Sequence, residues 1–239
     1  MTKNFDVLAN MEYPGRIIII GSSPEGDDAV MYAITGRSPS SQARRIVVDD
    51  KRMRLLVEPT DEKTLKTGNL DLLIYPAIVI GSGIAVSNGK QTADIPQQVN
   101  DGAKPKVILE NALRTWEYEP DEPNYTPRIS GFIFKDAALS IIRRSPDGSV
   151  ERIYFEVPRQ NGGGMLIATY TGVNINPLPS FQDKPIEVDI PYRSAEEATD
   201  ALYSALGPAS GMADFRVAAA SVYRDKNGMI SISIKNRHE

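Results

Sequence analysis

Apolar positions along the chain fall in short continuous runs, broken by Gly, Pro and Asp, which is the pattern of buried β-strands. Arg16–Gly21 (RIIIIG) opens the series, and SPEGDD follows as a turn punctuated by Pro24 and Gly26. Ala29–Thr35 (AVMYAIT) is the expected partner strand of a hairpin. Arg45–Val48 and Arg54–Val57 predict two more short strands, with a charged, exposed segment between them. Leu72–Ile80 carries Pro76, so it is expected to be interrupted or to lie at a sheet edge. Gly81-Ser-Gly83 turns the chain into Ile84–Val86, a hairpin signal, and Ser87-Asn-Gly89 turns it again.

Helical periodicity first emerges between Asp94 and Trp116. Lys104-Pro105 breaks it, predicting helices over roughly 94–101 and 105–116, with Val107, Leu109, Ala112, Leu113 and Trp116 as the apolar face. Strands return over Ile129–Phe134, Ala138–Arg143, Ile153–Val157 and Met165–Thr171. Residues 1–12 read as a polar lead-in, and 173–193 as Pro-rich and extended. Ser194 with Glu197 is a capping box for a helix that Gly207-Pro208 ends. Phe215–Tyr223 and Met229–Lys235 close the chain as a hairpin. The helices come in a central and a late block, so a βαβ alternation is disfavoured. The expected fold class is α+β, with two mostly antiparallel sheets, helices on their outer faces, and one domain over residues 1–239.

Composition narrows the chemistry. The 239 residues include no Cys and one His, which excludes disulfides, thiolate zinc sites and Cys nucleophiles. A Ser-His-Asp triad would have to use His238, beside the C-terminus. The net charge of −4 disfavours broad nucleic-acid binding. No apolar run approaches the roughly 20 residues of a membrane span, and MTKNFDVLAN has no signal-peptide character. The expectation is a cytoplasmic protein with no nucleic-acid or membrane partner.

Three polar clusters are candidates for function. The densest is Glu117-Tyr-Glu-Pro-Asp-Glu-Pro-Asn-Tyr-Thr-Pro-Arg128, a loop stiffened by three prolines. Its plain alternative is a solvated acidic connector, although Trp116, Tyr118 and Tyr125 are costly residues to leave in water. Asn88-Gly89 is a second candidate or a simple turn. Gly36-Arg37-Ser38 is a third: an Arg beside a Ser suits an oxyanion such as phosphate. Arg16, in Pro14-Gly-Arg, is similar. Gly81-x-Gly83 lacks the further glycine and helix of a dinucleotide fingerprint.

Taken in order, these pieces resemble the archaeal-type IMP cyclohydrolase family. They are Pro14-Gly-Arg-Ile, Gly36-Arg37-Ser38, Val86-Ser-Asn-Gly-x-x-Thr92, Tyr118-Glu119-x-Asp121-Glu122-x-Asn124, and Thr126-Pro127-Arg128-Ile. Ala168-Thr-Tyr170 and Ala218-Ala-Ala220 are weaker matches. The chain departs from the pattern at Ser22-Ser23, where relatives often carry a basic residue, and at Pro120 and Tyr125. The resemblance implies a four-layer α-β-β-α sandwich like that of N-terminal-nucleophile hydrolases. It also implies closure of 5-formamidoimidazole-4-carboxamide ribonucleotide to IMP with loss of water, the final step of purine synthesis. No cofactor or metal would be needed, and the family habit is a homo-oligomer.

On that resemblance Arg37 and Ser38, helped by Arg16, would hold the 5′-phosphate, and Asn88, Gly89 and Thr126 would also bind substrate. Glu119 would transfer the proton, with Tyr118 orienting the formyl oxygen or relaying the proton. Arg128 would bind the oxyanion or hold Glu119 in place. Two other classes compete. One is a non-catalytic purine-nucleotide-binding or regulatory protein on the same fold. The other is an amidohydrolase using Thr2 as its nucleophile after Met removal.

Overall fold

The computed structural model describes residues 4–61, 74–208 and 210–238. Thr2 and the expected strand start at Leu72 lie outside them. Strands β1 (Arg16–Ser22) and β2 (Asp28–Thr35) form the predicted hairpin, with Ile18 opposite Tyr32. They are the centre of a six-stranded sheet. On one side lie β10 (Gly163–Ala168) and β11 (Ile186–Asp189); on the other lie β12 (Arg216–Arg224) and β13 (Ile230–Asn236). The second sheet has seven strands in chain order: β3 (Arg44–Asp49), β4 (Arg54–Pro59), β5 (Tyr75–Ile80), β6 (Ile84–Ser87), β7 (Arg128–Phe134), β8 (Asp136–Arg144) and β9 (Val150–Val157). Pairings between the described strands are antiparallel, so the class is α+β, as the runs of short strands led one to expect.

The sheets stack face to face, and strand alternation says which side chains meet. The Tyr32 hydroxyl meets that of Tyr75 across the interface, 2.9 Å apart. Val30 and Ile34, two residues either side of Tyr32, therefore face the second sheet as well. A Cβ on Gly131 would lie 2.4 Å from Ile20 Cδ1, so the glycine sets how closely the sheets approach. The opposite face of the first sheet carries Ala33 beside Ala219, small residues that admit the helix α4 (Ala195–Ala205) through Ala198 and Leu202. On the outer face of the second sheet, α3 (Pro105–Ala112) buries Ile108, Leu109 and Ala112 against Ala85, Phe132, Ala138 and Ile142.

Several boundaries differ from expectation for identifiable reasons. In place of the helix predicted over 94–101 there are two 3₁₀ turns, Lys90–Asp94 and Pro96–Gln98: Pro96 cannot carry the ladder on from the first turn, and Val99, extended at ψ 122°, ends the second. Ser87-Asn-Gly89 leads into the first of these turns and makes no hairpin; β6 pairs with β7, far along the chain. Pro76 lies in an interior strand, accommodated where the β4–β5 register shifts. The lead-in contains a one-turn helix α1 (Asp6–Ala9) whose flank buries Phe5 and Leu8. In the cap of α4, Ser194 Oγ accepts from Glu197 N–H at 3.1 Å, but Glu197 returns its bond to Arg193 N–H. No helix among the described residues is long and apolar enough to cross a membrane.

Candidate active site

A cleft of about 380 Å³ opens at the end of the first sheet where β1 begins and β2 ends. Its first cation is launched by the Pro14-Gly15-Arg16 turn. Gly15 has φ +78°, and a Cβ there would lie 2.1 Å from Thr169 Oγ1. Only glycine meets both demands. Thr35 Oγ1 accepts from Gly15 N–H at 3.1 Å and donates to Gly15 C=O at 2.9 Å. Thr169 Oγ1 accepts from Arg16 N–H at 3.1 Å. These bonds fix the backbone from which the Arg16 guanidinium enters the cleft.

Arg44, the first residue of β3, supplies the second cation. It is 1% exposed, and its Nε donates to Ser41 C=O at 2.9 Å. Arg44 Nη2 and Arg16 Nε are both buried without a hydrogen-bond partner. Such donors cost about 1–3 kcal/mol each, and more for charged groups, unless a ligand satisfies them. Burial, reinforced by the Arg16 charge, lowers the Arg44 pKa. For Arg16 the lowering by burial is outweighed by the oxygens of Tyr75, Glu119, Tyr32 and Tyr170, and its pKa is raised. Burial and the neighbouring Tyr75 push the Tyr32 phenol up, so it is neutral beside the two cations.

Glu119 faces these cations. It is 3% exposed, and its N–H donates to Thr126 C=O at 2.9 Å, pinning the two arms of the acidic loop together. Burial raises the Glu119 pKa, aided by Asp121 and opposed by Arg16, Arg128 and Arg44. Arg128 Nη1 lies 3.7 Å from Glu119 Oε1. Arg128 is itself clamped: Nε donates to Glu117 C=O at 2.8 Å, Nη1 donates to Gln91 Oε1 at 3.2 Å, and the guanidinium lies 4.9 Å from the Trp116 ring centre. Behind it, Asn88 Nδ2 donates to Pro127 C=O at 2.8 Å, while Oδ1 accepts from Ile129 N–H at 2.9 Å and Gln91 Nε2 at 3.1 Å. A Cβ on Gly89 would lie 2.7 Å from Arg128 Nη1.

Of the residues expected from sequence, Arg16, Arg37, Ser38, Glu119 and Thr126 line the cleft. Arg37 Nη1 donates to Asn174 Oδ1 and Ile175 C=O, both at 3.1 Å, and the guanidinium covers the Tyr13 ring. Ser38 caps the one-turn helix α2 (Pro39–Gln42) by accepting from Ser41 N–H. Arg128, Asn88 and Gly89 stand behind Glu119 and do not line the cleft. Tyr118 does not line it either: its hydroxyl donates to Gly148 C=O at 3.1 Å and its ring meets Tyr125 edge-on. Neighbouring residues in extended chain point to opposite sides, so burying Glu119 turns Tyr118 outward. Ser22, at the far end of β1, is about 20 Å from Arg16 at 3.3 Å per residue. A basic residue there would not reach the same cleft end.

Sequence reasoning missed Tyr13, Arg44, Asp121, Asn124, Tyr170 and Leu178, which also line the cleft. Asp121 and Asn124 sat in the quoted acidic loop, and Tyr170 in a weaker motif, without being given a part. Arg44 opens a strand in a charged stretch and carried no such signal. Among the described residues no group of three His, Asp or Glu is placed to hold a metal.

Two buried cations with unmet donors next to one buried carboxylate give this α+β scaffold of two antiparallel sheets a cleft with the chemistry to take an anion and exchange a proton. Family comparison agrees with that class and sharpens it. The chain belongs to the IMP cyclohydrolase-like protein family, whose profile matches residues 13–228. It is 27% identical over 188 residues to an IMP cyclohydrolase of Methanococcus maripaludis strain C6, covering 78% of this chain and 85% of that protein. It is 29% identical over 194 residues to an IMP cyclohydrolase of Methanosphaera stadtmanae, covering 80% and 85%. The IMP cyclohydrolase of Methanopyrus kandleri is 30% identical over 159 residues, covering 66% and 75%.

Proposed function

We propose that this protein is an IMP cyclohydrolase, acting as one domain on 5-formamidoimidazole-4-carboxamide ribonucleotide. The observation that carries the reading is the buried Glu119 carboxylate sharing one cleft with Arg16 and Arg44, whose Nε and Nη2, respectively, have no hydrogen-bond partner. The reaction is intramolecular. The carboxamide nitrogen attacks the formyl carbon and gives up a proton, the formyl oxygen gains one to become a carbinolamine hydroxyl, and that hydroxyl leaves as water with the proton of the former formamide nitrogen as the ring C=N bond forms.

Two tasks fall to the protein. The substituents must be held in contact, an orientation effect. A proton must leave a poorly nucleophilic amide and one must reach the departing oxygen. Glu119 does both: burial raises its pKa and strengthens it as a base toward the amide N–H, it passes that proton to the formyl oxygen to give the carbinolamine hydroxyl, and it then carries the proton of the former formamide nitrogen to that hydroxyl as it leaves as water. Arg16 and Arg44 stabilise the charge on the formyl oxygen during attack, because each already holds a buried N–H group with no protein partner. Arg16 thus moves from the phosphate, where its motif first put it, to the oxyanion.

Arg37 and Ser38 at the rim take the 5′-phosphate, and Thr126 shapes the wall. Arg128 fills the second of its two expected parts and holds Glu119 in place; Asn88 anchors the backbone on either side of Arg128, and Gly89 leaves room for its guanidinium. Tyr118 is given no contact with substrate. The fold is read as that of the N-terminal-nucleophile hydrolases, which the helix outside each sheet supports. Cytoplasmic location and a homo-oligomer complete the proposal, the latter tested by sedimentation.

The deciding experiment mixes purified protein with the formamido nucleotide and follows product absorbance. Ring closure well above the uncatalysed rate is expected. IMP binding without acceleration would overturn the assignment in favour of a silent nucleotide-binding protein.

A further inference from the structure

One wall of the cleft carries a hydrogen-bonded chain, Asp121–Thr126–Tyr170, whose direction follows from counting protons. Asp121, as a carboxylate, only accepts. Its Oδ1 takes the Thr126 N–H at 2.6 Å, and its Oδ2 takes the Thr126 hydroxyl. A hydroxyl has one proton to give, and Thr126 has spent it on Asp121. The 2.5 Å contact between Thr126 Oγ1 and the Tyr170 hydroxyl therefore runs from Tyr170 to Thr126. The Tyr170 proton is turned into the wall, and the oxygen has only lone pairs left to offer.

Tyr170 lines the cleft, is 2% exposed, and stacks on Tyr13 at 5.9 Å, so the ring cannot turn away. Burial raises its hydroxyl to about 12, so it keeps its single proton at neutral pH. Arg16, Arg37 and Arg44 in the same cleft can only donate. A nucleotide carries donors as well as acceptors, and its donors need a partner in the cleft.

We propose that Tyr170 is a specificity-determining residue whose oxygen accepts a hydrogen bond from the nucleotide, with Asp121 and Thr126 as the positioning residues that hold this polarity. The inference deepens the cyclohydrolase reading and rests on it. Two nucleotide donors have the required chemistry: a ribose hydroxyl, or the nitrogen that becomes the ring N–H of the product.

Calorimetric titration of IMP into the wild type, Tyr170→Phe, Asp121→Asn and the double variant tests the idea. Tyr170→Phe is expected to weaken binding about three- to tenfold, the loss of one hydrogen bond. In Asp121→Asn the new amide donates to Thr126 Oγ1. That frees the Thr126 proton for Tyr170 and swings the Tyr170 proton into the cleft, where it opposes the ligand's donor. The loss of affinity from Asp121→Asn should be larger when Tyr170 is present than when it is combined with Tyr170→Phe. The comparison cancels the direct effect of deleting the Asp121 charge, which both backgrounds share.

Titrations with 2′-deoxy, 3′-deoxy and 1-methyl IMP name the donor: the analogue lacking it should bind equally to wild type and Tyr170→Phe. Equal IMP affinity for wild type and Tyr170→Phe, additive effects in the cycle, or a loss on Tyr170→Phe for all three analogues would each overturn the inference. A wild type that does not bind IMP would instead bring down the cyclohydrolase reading, and this inference with it. Thermal melts of every variant separate loss of binding from loss of fold.

Discussion

The floor and the rim of the cleft both pair arginine with hydroxyl groups, yet they are built in opposite ways. At the floor, Arg16 and Arg44 project from strand ends, are held by backbone and carbonyl contacts, and keep N–H groups with no partner. At the rim, Arg37 has already spent Nη1 on Asn174 and Ile175, and Ser38 is engaged with Ser40 and Ser41 in its own helix cap. The floor is charged and pre-organised before any ligand arrives; the rim must exchange protein bonds for ligand bonds. On the proposed function, transition-state stabilisation falls to the floor, and the rim would supply modest, salt-sensitive binding.

Glu119→Gln attacks the floor where the effect should be largest. Turnover is expected to fall by about 10²–10⁴-fold, the usual worth of a general acid–base group, with IMP affinity within a few-fold of wild type. Wild-type turnover in this variant would remove Glu119 from the chemistry. The same variant has a signature in stability. Because the folded-state pKa of Glu119 is raised, protonation favours the fold. Its contribution is fully present below the ordinary carboxylate pKa and is lost as pH rises through the raised value. The melting temperature of Glu119→Gln relative to wild type should therefore climb between acid and neutral pH, and a flat difference would contradict the burial argument.

Arg44→Met comes next. Removing one oxyanion donor is expected to lower turnover about 100-fold. The apo protein should become more stable, by about 1–2 kcal/mol, because a buried cation that is repelled by Arg16 and leaves Nη2 without a partner gives way to an apolar chain. Denaturant unfolding and ring-closure rates on one preparation check both signs. A destabilised Arg44→Met would mean that the cation is structural.

Much of this frame was legible in the sequence. RIIIIG and AVMYAIT are apolar enough to be strands under any packing, and Ser194-x-x-Glu197 marked its helix within a residue. The site was legible only in part. Arg44 reads as surface charge, because nothing local says that the strand it opens will run into a cleft beside Arg16. Tyr118 and Glu119 are adjacent, and sequence does not say which of two alternating positions faces inward. That depends on Thr126 C=O accepting from Glu119 N–H across the loop. The helix expected over 94–101 failed where Pro96 separates two 3₁₀ turns and Val99 turns extended, a break that the apolar spacing around it hid.

Arg37→Ala probes the rim. IMP binding should weaken about three- to tenfold, since the phosphate contact replaces the bonds to Asn174 and Ile175 and the net gain is small. The loss should shrink as salt is raised, because the rim charge is screened and the floor is not. Turnover at saturating substrate should change less than affinity. A drop in turnover as deep as that of Arg44→Met, with affinity unchanged, would reverse the assignment of rim and floor.

Tyr118→Phe is the smallest and the sharpest contrast with Glu119. The two residues are neighbours in the chain, and the resemblance to a known family gave both of them catalytic parts. In the structure the Tyr118 hydroxyl donates to Gly148 C=O, and its ring packs on Tyr125, whose other neighbour is the Arg144 guanidinium at 4.5 Å. Removing the hydroxyl deletes one half-buried hydrogen bond and leaves the ring contact, so stability should fall by about 0.5–1.5 kcal/mol. Ring-closure turnover and IMP affinity should stay within about twofold of wild type. Chemical denaturation beside steady-state kinetics distinguishes the outcomes. A hundredfold loss of turnover without loss of stability would mean that the loop re-forms around substrate and brings Tyr118 inward, and the division between a fixed floor and an exchangeable rim would no longer hold.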